Sequence, residues 1–145
     1  MNSLLIRSFL SFKTITVKSI EIPYQGNMTL TELKNAFSSL FPYLKWEFFN
    51  RHHENQEGSH KKHMITTNPK IAQLNPAIQS GTLQFNSEIT VHELEELIWN
   101  QCGVDVQVFR KSGNIWLETT VTDQWTLAFQ NEQGQELSEQ FDRKK

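Results

Sequence analysis

Two stretches of the chain share one pattern of apolar and polar positions. "MTLTELKNAFSSLF", starting at Met28, and "ITVHELEELIWNQC", starting at Ile89, align without a gap. Apolar residues recur at helical spacing in both stretches. They are Leu30, Leu33, Phe37, Leu40 and Phe41 in the first, and Val91, Leu94, Leu97 and Ile98 in the second. Each stretch therefore predicts an amphipathic helix with one face to bury.

Both predicted helices begin with the same capping signal. Thr29 and Glu32 have the Thr-x-x-Glu spacing of a capping box, and Thr90 and Glu93 repeat it. In such a box each side chain pairs with a backbone N–H that the first helical turn leaves unpaired. The two helix starts are therefore fixed by local chemistry as well as by the apolar pattern.

A predicted strand lies on either side of each helix. Pro42 and Gly103 end the helices, after which "YLKWEFF" and "VDVQVF" alternate apolar and polar residues. Before the helices, "TITVKSIEI" and "GTLQFN" also favour strands. In "TITVKSIEI" the apolar parity changes between Val17 and Ile20, which requires a bulge or bend. Each half of the chain thus reads strand, helix, strand.

The order of these elements predicts an α+β fold. Two similar β-α-β units in series give β-α-β-β-α-β, the order of a ferredoxin-like fold with an antiparallel sheet and both helices on one face. Further on, "VQVFRKSGNIWLETT" contains a Ser-Gly-Asn turn signal, and "TDQWTLAF" reads as one more strand. We therefore expect an extra C-terminal β-hairpin that extends the antiparallel sheet.

Domain organisation follows from the same pattern. We predict a single α+β domain over residues 1–130, interrupted by a long polar insertion at about 51–80. Residues 131–145, "NEQGQELSEQFDRKK", are mostly charged residues, Gln and Gly. Because such a segment buries little apolar area, we expect a flexible C-terminal tail.

The insertion contains "RHHENQEGSHKKH", which holds four of the chain's 5 histidines. Imidazoles bind zinc and other divalent transition metals, so one candidate metal site consists of His52, His53, His60 and His63, with Glu54 or Glu57 as an added ligand or base. The spacing matches no zinc motif, and adjacent histidines point in different directions in regular structure. The composition favours a solvated polar loop instead. Protonation near pH 6 would also make the loop cationic, which suits a pH-dependent contact with an acidic partner.

Two tryptophans are candidates for partner binding. "WLETTVTDQW" places Trp116 and Trp125 on neighbouring predicted strands around a Thr-rich turn. If they pair across the turn, they stabilise the hairpin. If both face outward, they form a patch for a partner protein or an apolar ligand.

Composition narrows the classes of partner and location. The net charge is −2, so nothing favours nucleic acid as a partner, and no apolar run is long enough to predict a membrane span. The apolar start of the chain resembles a signal peptide, but Arg7 interrupts it. The only cysteine is Cys102, which fits the cytoplasm.

The patterns that stand out specify structure and do not assemble an acid, a base and a nucleophile. They favour a non-enzymatic binding or assembly module that acts through the face or edge of its sheet. A protein partner or self-association, for instance a homodimer, fits this interpretation. The alternative is a metal-binding protein or a metal-dependent enzyme that uses the histidine cluster at 52–63.

Overall fold

A computed structural model describes residues 18–50 and 63–144 of the protein. These residues form an α+β structure with two antiparallel sheets and four helices. In chain order the elements are β1 (Ser19–Tyr24), α1 (Leu30–Leu40), β2 (Leu44–Asn50), β3 (His63–Met64), α2 (Ile71–Leu74), β4 (Gly81–Asn86), α3 (Val91–Cys102), β5 (Asp105–Ser112), β6 (Ile115–Glu118) and α4 (Leu127–Arg143). Residues 14–17 of the predicted first strand lie outside the described part.

Both predicted capping boxes are present. In α1 the Thr29 Oγ1 accepts a hydrogen bond from the Glu32 N–H at 3.2 Å, and the Glu32 carboxylate accepts one from the Thr29 N–H at 3.0 Å. Thr90 and Glu93 make the same two bonds at the start of α3, at 3.1 Å and 2.9 Å. At the other end of α3, Gly103 adopts a left-handed conformation with φ 68° and ends the helix. The sequence therefore placed these helix starts correctly.

The strands pair differently from the ferredoxin-like expectation. β1 pairs with β4, with Ile22 opposite Leu83, and these two strands form a sheet of their own. β2 pairs with β5, with Trp46 opposite Val108, in a second sheet of order β3-β2-β5-β6. A ferredoxin-like fold has the four strands of the two units in one sheet. The α+β class holds, but the ferredoxin-like topology is not confirmed.

The core lies between the two sheets and the helices. Phe37 of α1 stacks on Trp46 of β2 with ring centroids 4.5 Å apart, and Trp46 meets Phe48 edge-on at 6.4 Å. Ile22 and Leu83 of the two-stranded sheet belong to the same buried cluster. Both sheets therefore bury a face against one common core.

The starts of α1 and α3 make matching contacts with segments far along the chain. The Leu30 N–H donates to the Pro69 carbonyl oxygen at 3.0 Å, and the Val91 N–H donates to the Trp125 carbonyl oxygen at 3.1 Å. Pro69 lies just before α2 and Trp125 just before α4. These contacts hold the beginning of α4 against the start of α3.

The C-terminal region corrects two predictions. The hairpin of β5 and β6 is present, but "TDQWTLAF" does not add a strand, because Thr126 caps α4 by accepting from the Phe129 N–H at 3.1 Å. Residues 131–145, expected as a flexible tail, belong to α4 as far as Arg143. The buried positions of α4 are Leu127, Gln130, Gly134 and Ser138. They have helical spacing, but only one is a large apolar residue, so the apolar pattern did not reveal this helix.

Candidate interaction edge at β6

The two candidate tryptophans lie in different environments. Trp116 is on β6, whereas Trp125 precedes α4 and is not on a strand. The Trp125 ring meets the Phe129 ring edge-on at 4.8 Å, and the Arg110 guanidinium lies 5.5 Å from its centroid. The expected placement of both tryptophans on neighbouring strands is therefore wrong, and Trp125 is half-buried while Trp116 faces outward.

Most of the candidate metal ligands fall outside the described residues. These are His52, His53, Glu54, Glu57 and His60. His63 begins β3 and lies opposite Asn50 of β2. Within residues 18–50 and 63–144, no group of three or more His, Cys, Asp or Glu side chains is placed to hold a metal ion. The metal site stays a prediction from the sequence.

His92 lies between two carboxylates at the start of α3. Its Nε2 is 3.3 Å from Glu96 Oε1, and its Nδ1 is 3.6 Å from Asp123 Oδ2. Each ring nitrogen therefore faces a different carboxylate. In this arrangement the three side chains do not converge on one point, so they do not form a metal site.

The thiol of Cys102 lies at the far end of α3 from His92 and is buried. Burial raises the pKa of the Cys102 thiol, and a hydrogen bond with Tyr24 offsets only part of that effect. A thiol with a raised pKa is a poor nucleophile at neutral pH. Among the described residues, Cys102 and His92 lie near opposite ends of one helix.

β6 is an edge of the four-stranded sheet among the described residues, and it is unusually apolar for such a position. Ile115 is 53% exposed, Trp116 37% and Leu117 38%. Glu118, the last residue of the strand, is exposed as well. Proteins commonly protect an open strand edge with charged residues, proline or a bulge. β6 presents three consecutive large apolar side chains instead.

The hydrogen bonds of β5 show which main-chain N–H and C=O groups of β6 do not bond to β5. The Val108 N–H donates to Glu95 Oε2 at 2.9 Å, and the Val108 carbonyl oxygen accepts from Thr119 Oγ1 at 2.8 Å. Thr119 follows β6, so both groups of Val108 point toward the β6 side. The Lys111 N–H instead donates to the Tyr43 carbonyl oxygen at 2.9 Å, toward β2.

The alternation along β5 fixes the direction of the β6 backbone groups. Arg110 and Ser112 have the same orientation as Val108, so they bond to the β6 residues opposite them. Arg110 lies opposite Leu117, whose N–H and C=O are therefore used within the sheet. The N–H and C=O groups of Trp116 and Glu118 point away from β5, toward the outer edge. These are the groups that an added strand would bind.

The two faces of β6 differ in chemistry. On one face the Lys45 Nζ lies 4.9 Å from the centroid of the Trp116 ring and 5.7 Å from that of Phe109. A cation above an aromatic ring is attracted by the ring quadrupole, and this contact holds the Trp116 side chain in place. Leu117 projects from the other face, as does Arg110 opposite it. The edge therefore offers one aromatic and one aliphatic contact.

Two charged residues flank Trp116 on its face of the sheet. Lys111 lies opposite Trp116, and Glu118 lies opposite Phe109. In the part of the chain that the structure describes, neither Lys111 nor Glu118 has an ion-pair partner. Both charges remain available for a molecule that binds at this edge.

Sequence reasoning identified Trp116 but not the rest of this edge. The available signal was the unbroken apolar run Ile115, Trp116 and Leu117 directly after a turn, since a half-buried strand should alternate.

None of the helices in the described ranges is both long enough and apolar enough to span a membrane. No protein-family model, curated protein or solved structure matches this chain.

Proposed function

We propose that this protein is a non-enzymatic protein-binding or assembly module that acts through the outer edge of β6. The observation that carries the proposal is that all four residues of Ile115–Glu118 are exposed at a sheet edge. Three of them are large and apolar. Burying such side chains against a partner stabilises a complex by removing apolar area from water.

Binding at this edge would follow strand addition. In that mode, main-chain hydrogen bonds provide affinity and alternate side chains provide specificity. The outward N–H and C=O groups of Trp116 and Glu118 would make the main-chain bonds. The Trp116 ring and the Leu117 side chain would contact the partner on opposite faces of the extended sheet.

The low net charge of −2 supports a protein partner over a nucleic acid. The single cysteine supports a cytoplasmic location in this proposal.

Amide hydrogen exchange, measured by NMR on the 145-residue protein in dilute solution, tests whether the edge is open. We expect the Trp116 and Glu118 amides to exchange rapidly. The Leu117 amide, which bonds to β5, should exchange much more slowly and serves as the control within the same strand. Slow exchange of the Trp116 and Glu118 amides at a concentration where sedimentation shows only monomer would show that another part of the chain covers the edge, and the proposal would fail.

A further inference from the structure

We infer that the partner of β6 is β6 of a second copy of this chain, joined in an antiparallel pair centred on Leu117. This inference rests on the proposed function, because it needs the outer edge of β6 to be open. It identifies the occupant of that edge and the register in which the occupant binds. Two four-stranded sheets would then continue into one another across a twofold axis.

The alternation of side chains restricts the register. Residues directly opposite each other in an antiparallel pair project from the same face of the sheet. In a twofold-symmetric pair of β6 strands, one residue must therefore lie directly opposite its own copy, with the axis midway between the two. Two registers keep most of β6 paired, one centred on Trp116 and one centred on Leu117. Both would use the outward backbone groups of Trp116 and Glu118.

The charges at this edge favour the register centred on Leu117 over the one centred on Trp116. Centring on Trp116 would stack the two Trp116 rings between Lys111 and the partner's Lys111, with Lys45 above each ring. Four ammonium groups would then surround one aromatic pair, and each Glu118 would lie opposite the partner's Asn114 instead of the partner's Trp116. Like charges placed together at an interface oppose association.

Centring on Leu117 places opposite charges together. Each Glu118 would then lie opposite the partner's Trp116, next to the ammonium of the partner's Lys45, which is 4.9 Å from that ring. The partner's Lys111 lies two strands from Glu118, roughly 10 Å, a distance that a lysine and a glutamate side chain span together. Glu118 and Lys111, which have no ion-pair partner in the described part of one chain, would thus face each other twice across the axis. On the other face, Leu117 would pack against the partner's Leu117.

A charge-exchange experiment tests both the occupant and the register. Sedimentation velocity over a concentration series should show the wild-type protein approaching twice the chain mass of 17.0 kDa. Glu118→Lys and Lys111→Glu should each raise the dimer dissociation constant roughly tenfold or more, because each creates two like-charged contacts. An equimolar mixture of the two variants should dimerise again, since both contacts then pair opposite charges. Glu136→Lys, at an exposed position of α4, is the control and should not change the dissociation constant.

Wild-type protein that stays monomeric at every concentration would overturn the inference, while rapid exchange at Trp116 and Glu118 would leave the proposed function standing. Dimerisation that both single variants retain would also overturn it, because the interface would lie elsewhere. Variants that fail to recover in the mixture would exclude the register centred on Leu117. Melting temperatures of all the variants, compared with wild type, confirm that loss of the dimer is not loss of folding.

Discussion

Arg110 donates a hydrogen bond from Nη1 to the Oε1 of Gln130 at 2.7 Å, and this contact joins β5 to α4. Gln130 is fully buried, and its Nε2 donates to the carbonyl oxygen and hydroxyl of Thr122 at 2.7 Å and 2.9 Å. Burial lowers the pKa of the Arg110 guanidinium. Among the described residues no carboxylate pairs with it, so the Gln130 amide is its main polar contact.

Replacing Gln130 should therefore destabilise the protein. In Gln130→Leu the side-chain volume is nearly kept, but Arg110 and Thr122 each lose a hydrogen-bond partner. Leaving such buried groups unpaired costs about 1–3 kcal/mol. Urea unfolding followed by circular dichroism measures the loss, with Gln140→Leu at an exposed position of α4 as the control. Equal stability of the two variants would show that this contact does not anchor α4.

Gly134 sets how closely α4 approaches the sheet. A Cβ atom at this position would lie 2.8 Å from the Tyr43 Cβ, 3.1 Å from the Arg110 Cγ and 3.1 Å from the Lys111 carbonyl oxygen. Alanine usually stabilises a helix by about 1 kcal/mol relative to glycine. In Gly134→Ala we expect overpacking, which typically costs 1–3 kcal/mol, to outweigh that gain. The melting temperature should fall, whereas Glu136→Ala should leave it nearly unchanged. A rise for Gly134→Ala would mean that α4 can shift away from the sheet at little cost in stability.

These contacts explain which parts of the fold the sequence predicted. The capping boxes at Thr29 and Thr90 are local signals, so both helix starts could be placed from a few residues. The buried side of α4 consists largely of Gln130, Gly134 and Ser138, which look like a solvated tail until their partners on β5 are known. Strand pairing has the same difficulty, because every strand of the two units is amphipathic and no local signal specifies its partner.

The candidate site, like the fold, could be predicted from the sequence only in part. Trp116 could be found from the sequence because large aromatic residues are common at interfaces. The roles proposed for Lys111 and Glu118 could not be found, because they depend on which strand lies at the edge and on which residues have the outward backbone groups. Both facts come from the pairing of β5 with β6.

The two capping threonines should contribute similarly to stability. Thr29→Ala and Thr90→Ala each remove the acceptor of a backbone N–H in the first turn, at a cost of typically about 1 kcal/mol. Thr29→Ser and Thr90→Ser keep the acceptor and should restore most of the stability. Thr31→Ala, an exposed position in the first turn of α1, is the matched control. Chemical denaturation would contradict this expectation if the serine variants were as unstable as the alanine variants.

Glu47 should make the protein sensitive to acid. Burial alone would raise the pKa of its carboxyl group, but hydrogen bonds from Lys34 at 2.8 Å and from Lys45 at 2.9 Å lower the pKa overall. A carboxyl group with a lowered pKa in the folded state contributes stability above its unfolded pKa, about 4.3 for glutamate, and this contribution disappears as the pH falls further. Glu47→Gln should therefore lower stability at pH 7 and flatten the loss of stability between pH 5 and 3. Urea unfolding at several pH values measures both effects, with Glu136→Gln as the control.

Cys102 should report on unfolding through its reactivity. Its side chain is buried, and burial raises the pKa of the thiol, so both access and thiolate formation are suppressed in the folded protein. We expect a disulfide reagent such as 5,5′-dithiobis(2-nitrobenzoate) to react slowly with the native protein and to react faster as urea increases the unfolded fraction. Asn100→Cys in a Cys102→Ala background places a thiol at an exposed position of α3 and should react at once. Rapid reaction of native Cys102 would show that the structure around this end of α3 opens without global unfolding.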